Sequence, residues 1–253
     1  MGIPRVFSDE QELVIAAEYA EGMSIEQLAN KYEASGTAVF KALKMVGQPR
    51  RAYRKYQLDE TAFEQVSPES YYFTGLFLAD GCVRLNRRGC SASLALKASD
   101  IDIIERLRNF LKTDKPIGLY SGNSSTQPDN RYPFVSLVIC SRRIVDALIR
   151  RGVCPDKTFT AKLGDDLVCD ANAWRGVIDG DGHLGMHPNT GGGRHFPHIA
   201  LVGSKPLCEQ FADYTHSLIG GIRPSVLRKA SVWHVKLAGD RAMPVVRELY
   251  GHG

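Results

Sequence analysis

A chain of 253 residues, 43% hydrophobic and 24% charged, has an ordinary globular make-up and can bury a sizeable core in one or two folded units. No run of about 18 apolar residues is present and the opening MGIPRVFSDEQE has no apolar core, so neither a membrane span nor a secretory signal is expected. The six cysteines form no CxxC pair, which leaves a zinc ribbon or a dense disulfide framework without support and fits a reducing cytoplasm. The net charge of +4 is focused at one junction, since residues 49–56 (PRRAYRKY) hold 4 basic and no acidic side chains.

The predicted elements begin with an amphipathic helix over 9–21, with Leu13, Ala16, Ala17 and Ala20 at helical spacing and Gly22 at its end. Ser24 and Gln27 form the signature of a capping box, so a second helix follows in SIEQLANKY. After a turn at Glu33-Ala34, Ser35 caps a third helix over about 36–46. Ala29, Val39 and Leu43 are the expected contact between the last two, a pattern similar to resolvase-like helix-turn-helix modules. The third helix would present Gly36, Thr37, Phe40 and Lys41 to a major groove. A plain three-helix bundle is the competing reading, favoured slightly by the acidic balance of this segment. Arg50, Arg51, Arg54 and Lys55, interleaved with tyrosines, suit a phosphate backbone, although charge runs alone more often mark a solvated linker.

From residue 57 the chain changes character. The segment QLDETAFEQVSPESYY leads into FTGLFLADG (73–81), and about one hundred positions later comes WRGVIDGDG (174–182). Gly75 matches Gly176, Leu76 Val177, Phe77 Ile178, Ala79 Gly180, Asp80 Asp181 and Gly81 Gly182. The downstream segments repeat too: LALKASDIDIIERLRNFL resembles IALVGSKPLCEQFADYTHSLIG, and YPFVSLVICSRRIVDALIRRGV resembles SVWHVKLAGDRAMPVVRELYG. Each half therefore reads helix, hairpin, helix, hairpin, helix, and the long period indicates a pseudo-twofold molecule.

The small residues Gly75 and Ala79, and Gly176 and Gly180, sit four apart on one face of each helix, which lets two backbones approach closely. Gly81 and Gly182 are expected to end the helices. Asp80 and Asp181 then arrive side by side, a costly pairing unless a divalent cation lies between them and a substrate phosphate. Carboxylate, carbonyl and water oxygens suit magnesium.

The two nonapeptides, their spacing and the repeated segments resemble the LAGLIDADG homing endonucleases in their single-chain, two-motif form, over residues 57–253. The resemblance implies an α+β fold of two pseudo-symmetric αββαββα halves with a saddle-shaped DNA-binding sheet, preceded here by a small all-α helix-turn-helix domain. The corresponding division is 1–48 (helix-turn-helix), 49–68 (basic linker and lead-in), 69–165 (first half) and 166–253 (second half). It also implies a site-specific double-strand DNA endonuclease, acting as a monomer on a long, nearly asymmetric duplex site. Magnesium or manganese would be held by Asp80 and Asp181 with the carbonyls of Ala79 and Gly180. The family's sixth motif position, often acidic, is Leu78 in one copy and Asp179 in the other. Lys97, at the end of SLALK, matches a polar active-site position of the family and is expected to be catalytic. Its partner in the repeat is taken as Val202, which makes the two sites unequal. Lys236, Arg142 and Arg143 are weaker candidates, the arginines more simply solvated charges. A non-cleaving DNA-binding regulator or an RNA-splicing maturase on the same fold is the alternative, although such regulators generally lose the motif acids.

Strand alternation assigns the reading surface. Val83 and Leu85 should face the core and Arg84, Asn86 and Arg88 outward; Ala92, Leu94 and Leu96 inward and Ser91, Ser93 and Lys97 outward. In the second half Val235 and Leu237 alternate with outward His234 and Lys236. Arginine would read guanine and asparagine adenine. The loops SGNSSTQPDNR and HPNTGGGRH are predicted hairpin tips. His183, His187, His195 and His198 match no standard zinc spacing and point to DNA contact or plain surface.

Overall fold

The computed structural model describes residues 6–48, 56–86, 89–123, 131–188 and 195–251. The chain divides into two compact units, one ending at residue 55 and the other beginning at 56.

The first unit holds three helices, α1 (Asp9–Ala20), α2 (Ile25–Lys31) and α3 (Gly36–Met45). Ser8 with Gln11 and Ser24 with Gln27 form complete capping boxes, while the Ser35 hydroxyl accepts from the Ala38 N–H at 3.2 Å. The turn between α2 and α3 passes through Glu33 with φ of 49°. Leu28, Ala29, Val39 and Leu43 lie in a common core with Phe7, Ile15 and Tyr19. The buried stripe of α1 differs from the expected one. Glu12, Ile15, Ala16 and Tyr19 are buried, whereas Leu13 is 62% exposed and Ala17 and Ala20 face solvent. Both stripes have helical spacing; the true one opens on a charged residue, and that disguised it.

The second unit begins at residue 56, and the lead-in segment belongs to its body: the Gln57 N–H donates to Asp114 Oδ1 at 2.6 Å, the Asp59 N–H to the Leu111 carbonyl at 2.9 Å, and Ala62 and Phe63 are buried in a 3-10 turn. Two copies of one architecture follow. The first runs α4 (Pro68–Ala79), β1 (Gly81–Asn86), β2 (Gly89–Lys97), α5 (Ile101–Phe110), β3 (Gly118–Asn123), β4 (Arg131–Ile139) and α6 (Arg142–Arg150). The second runs α7 (Ala171–Asp181), β5 (Gly182–Pro188), β6 (His195–Gly203), α8 (Lys205–Ile219), β7 (Val226–Lys229), β8 (Val232–Ala238) and α9 (Ala242–Tyr250). The sheets are antiparallel and share one topology, β1-β2-β4-β3 and β5-β6-β8-β7. One continuous core unites both halves, because α4 and α7 pack directly on each other.

Register corrects one equivalence. Gly81 pairs with Leu94, and Gly182 pairs with Leu201. Counting equally onward, Lys97 corresponds to Ser204, not Val202. Each of these two residues also stands at the N-cap position of the helical segment that follows its strand, and the Ser204 hydroxyl accepts a capping bond there from the Leu207 N–H. Alternation places Val83, Ala92, Leu94, Val235 and Leu237 inward, but Leu85, expected in the core, is 41% exposed. It lies on an edge strand opposite Cys90, toward the far end of the hairpin from α4, where covering side chains run out.

Candidate functional site

Helix α4 is apolar on every side, PESYYFTGLFLA, and is accordingly buried along most of its length. Ser67 caps it by accepting from the Ser70 N–H, and Pro68 occupies its first turn, where no backbone donor is lost. Asp170 caps α7 by accepting from the Asn172 and Ala173 N–H groups at 2.8 and 3.1 Å. The Arg151 guanidinium, 7% exposed, closes the start of α4 by donating to Ser70 Oγ at 2.5 Å and to the Gln65 carbonyl at 3.0 Å. It also lies over the Tyr71 ring at 5.1 Å.

The seam between the helices is symmetric. A methyl group on Gly75 would fall 2.0 Å from the Ala173 carbonyl oxygen, and one on Gly176 would fall 2.0 Å from that of Tyr72. A methyl on Gly180 would meet Ala79 Cβ at 2.4 Å and Asp80 Oδ2 at 3.0 Å. These glycines are required by contact between backbones, and the last of them sets Asp80 against α7. Gly81 and Gly182 serve a different end than expected. Gly182 has φ of −91°, and neither glycine adopts the left-handed conformation of a helix-ending cap. Added methyls there would collide instead with the preceding turn, 2.6 Å from the Phe77 carbonyl oxygen and 2.4 Å from that of Ile178. The glycines thus allow each helix to pass straight into a strand.

Asp80 ends α4 and Asp181 ends α7. Both carboxylates are open to solvent on one side, yet the crowded surroundings disfavour their charged forms. Burial raises the Asp80 pKa, and burial together with the Asp80 charge raises that of Asp181 to about 6; in both cases Lys157 opposes the rise. Among the described residues, no group of three or more His, Cys, Asp or Glu side chains converges as a complete metal site. The acid pair fits a divalent cation that takes its remaining oxygens from backbone carbonyls, water and a phosphate: the donors are all oxygen, and the paired charges are undercompensated.

Lys97 lies at the exposed end of β2 and lines a cleft of about 530 Å³ with Asp80, Asp179 and Gly180. Arg84 is exposed on β1, in a second cleft of about 520 Å³ that runs past Gly81 and Cys82 to Lys157. Ser91 and Ser93 are half-buried on β2, and Ser93 donates to the Cys82 carbonyl at 3.5 Å. On β8, Lys236 is exposed and His234 Nδ1 lies 3.1 Å from the Leu227 carbonyl oxygen. Thr37 and Lys41 are exposed on α3, within the first unit. Arg50, Arg51, Arg54, Lys55 and Arg88 lie outside the described residues, as do the side chains of Asn86 and His187 and most of both hairpin-tip loops. Arg142 pairs with Asp146 along α6 at 2.8 Å, and Arg143 pairs with Glu64 of the 3-10 turn at 2.5 Å, both on the surface. His183 and His198 stack with ring centroids 4.9 Å apart.

Sequence reasoning missed the partners of one site residue and the whole of another. Asp179, at the sixth motif position, accepts from the Tyr72 hydroxyl at 2.9 Å and the Tyr250 hydroxyl at 2.7 Å. Arg106 and Arg175 lie 5.2 and 5.0 Å from the centroid of the same Tyr72 ring. These contacts fix Asp179 as a tie between the two halves. The other is Lys157, in the segment joining the halves, whose Nζ donates to the Ala79 carbonyl at 3.0 Å. Burial lowers its pKa while the acids pull it back up. No periodicity or spacing marked this residue.

No family model matches the sequence, and no curated protein matches it. Among solved structures, the homing endonuclease I-WcaI bound to its DNA recognition sequence superposes with a TM-score of 0.56 at 12% identity, covering 76% of this chain and 87% of that one. The I-LtrWI LAGLIDADG homing endonuclease bound to target DNA covers 73% of this chain and 85% of its own at 10% identity, with a TM-score of 0.46. Mesophilic variants of the homing endonuclease I-DmoI cover 76% and 98% at 14% identity, also with a TM-score of 0.46. The two four-stranded sheets joined through a central helix pair have the LAGLIDADG homing-endonuclease fold.

Proposed function

We propose that the chain is a site-specific, metal-dependent DNA endonuclease that cuts both strands of a long, nearly asymmetric duplex site. The observation that carries this reading is the presentation of Asp80 and Asp181 side by side at the foot of the glycine seam, each followed directly by the first strand of a sheet. The likeness of fold to DNA-bound homing endonucleases supports it. A bound divalent cation, magnesium or manganese, would polarise the scissile phosphate and lower the pKa of an attacking water.

The chain's own residues then have distinct tasks. Asp80 and Asp181 supply carboxylate oxygens, and Ala79 and Gly180 supply the carbonyls beside them. Lys97, at the rim of the Asp80 cleft, offers a positive charge to the phosphoryl oxygens as charge develops on them. The second half has Ser204 at that position, a buried hydroxyl committed to capping α8 and to the Ala161 carbonyl. The two strands are therefore cut at unequal rates. Arg84, Asn86, Arg88, Ser91 and Ser93 read one half-site and His234 and Lys236 the other. The three-helix unit, through Thr37 and Lys41 and the following basic run Arg50, Arg51, Arg54 and Lys55, binds flanking duplex, and tethering raises its effective concentration there. Two halves in one chain leave no need for a dimer.

Incubating the purified full chain with a randomised duplex library, with magnesium or with chelator, and sequencing the ends tests the reading. Magnesium-dependent double-strand breaks at one long site are expected. Sequence-selective binding without cuts in magnesium or manganese would replace it with a non-cleaving regulator or a splicing maturase.

A further inference from the structure

We propose that Lys157 is a resident counter-cation of the acid pair, holding the Ala79 carbonyl in the metal-free protein and yielding it when a divalent ion enters. Its Nζ lies 3.0 Å from that carbonyl oxygen, and its charge acts on both Asp80 and Asp181. The lysine is not a loose surface group. It is half-buried in the 3-10 turn Lys157–Phe159, and its own carbonyl accepts from the Thr160 and Ala161 N–H groups at 3.0 and 2.7 Å. Asp156 before it is held in the left-handed region, with φ of 53°, so the turn that delivers the ammonium has a defined geometry.

The bonded carbonyl precedes Asp80 and belongs to the oxygen set assigned above to the cation. An ammonium and a divalent ion compete for such a set twice over, through the shared oxygen and through repulsion between like charges. Among the described residues that lead into α4, 56–67, there is no lysine or arginine. The charge of this lysine acts on both acids, and it weakens metal binding until it is displaced.

The inference rests on the metal reading of the acid pair, so its test is kept apart from cleavage. Free manganese is titrated by electron paramagnetic resonance against the full chain without DNA, comparing the parent protein with Lys157→Met, Lys157→Gln and Lys157→Arg. Thermal unfolding with and without manganese is measured alongside. Lys157→Met should bind manganese on the order of tenfold more tightly and show a larger manganese-induced rise in melting temperature. Lys157→Gln keeps a donor for the Ala79 carbonyl without the charge and should fall between, while Lys157→Arg should stay near the parent. Should Lys157→Met fail to fold, the Lys157→Gln comparison decides. Manganese affinity no tighter in either neutral variant, or no manganese bound by any of the proteins, overturns the proposal. Absent cleavage with the affinity shift intact would remove the endonuclease reading and leave the lysine's role standing. Metal-dependent cleavage with unchanged affinities would do the reverse.

Discussion

Replacing Gly75 with alanine places a methyl carbon 2.0 Å from the Ala173 carbonyl oxygen, at least about 1.4 Å inside ordinary contact. The obstacle is helix backbone, which cannot rotate away, so α4 and α7 must separate or slide. A gap of about 0.5–1 Å already forfeits a quarter to a half of the dispersion attraction across a contact. The surrounding aromatics Tyr72, Phe73 and Phe77 are close-packed and transmit the shift. Overpacking a core costs about 1–3 kcal/mol, and this position, where nothing flexible can give, should reach about 3 kcal/mol or more. Gly176→Ala meets the Tyr72 carbonyl at the same 2.0 Å and should cost as much. The double variant should cost clearly less than the sum, because a separation forced by one methyl makes room for the other. Gly89→Ala, with nothing within 4 Å of the added carbon, is the control and should lie within about 0.5 kcal/mol of the parent. Urea unfolding followed by tryptophan fluorescence suits the question, since Trp174 and Trp233 both lie in the second unit and report on it alone. Single glycine variants within about 1 kcal/mol of the parent, or strictly additive costs, would refute the backbone-contact seam.

Other consequences follow from the same geometry. The fold raises the Asp181 pKa from 3.8 to about 6, so it favours the protonated acid; that contribution is complete below about pH 4 and is lost as pH rises through about 6. Asp181→Asn should therefore stabilise the metal-free protein at pH 8 by about 1 kcal/mol, a figure reduced from the full shift because the carboxylate is partly open to solvent. The gain should vanish by pH 4 in paired melting curves, and a gain independent of pH would contradict the assignment. Arg151→Met removes the donor to Ser70 and the Gln65 carbonyl and should cost about 2–3 kcal/mol in urea unfolding; a loss under about 0.5 kcal/mol would show that the start of α4 needs no such clamp. Tyr250→Phe removes one of two hydroxyls on Asp179 and should cost about 1 kcal/mol, with Tyr72→Phe adding to it; no loss in the double variant would deny Asp179 its structural tie.

The repeat was the most legible feature of the sequence, because two nonapeptides carrying the same small residues at the same spacing have few other uses. The glycine seam followed from it: Gly75 and Gly176 touch opposing carbonyls as their pattern requires. Finer placement failed where a local pattern has two solutions. In α1, two helical stripes coexist and the buried one contains Glu12. Along β1, alternation fixes the side on which Leu85 sits but not how far the core extends. The partner of Lys97 was misassigned because similar strand letters can be aligned two residues apart, and only the pairing of Gly81 with Leu94 and Gly182 with Leu201 fixes the count. Lys157 left no trace because its role depends on a turn between halves. Asp179 was visible as a motif acid, but its tyrosine partners come from residues 107 and 71 positions away.

The most direct test of the central claim is strand-specific. At a mapped target site in magnesium, Asp80→Asn and Asp181→Asn are compared with the parent by resolving nicks on each labelled strand. If the two carboxylates serve two sites across one duplex, each variant loses double-strand cleavage, the variants nick opposite strands, and their residual rates are unequal, because Lys97 has only the buried Ser204 as its counterpart. Undiminished double-strand cleavage in either variant, or both variants nicking the same strand, would contradict the account.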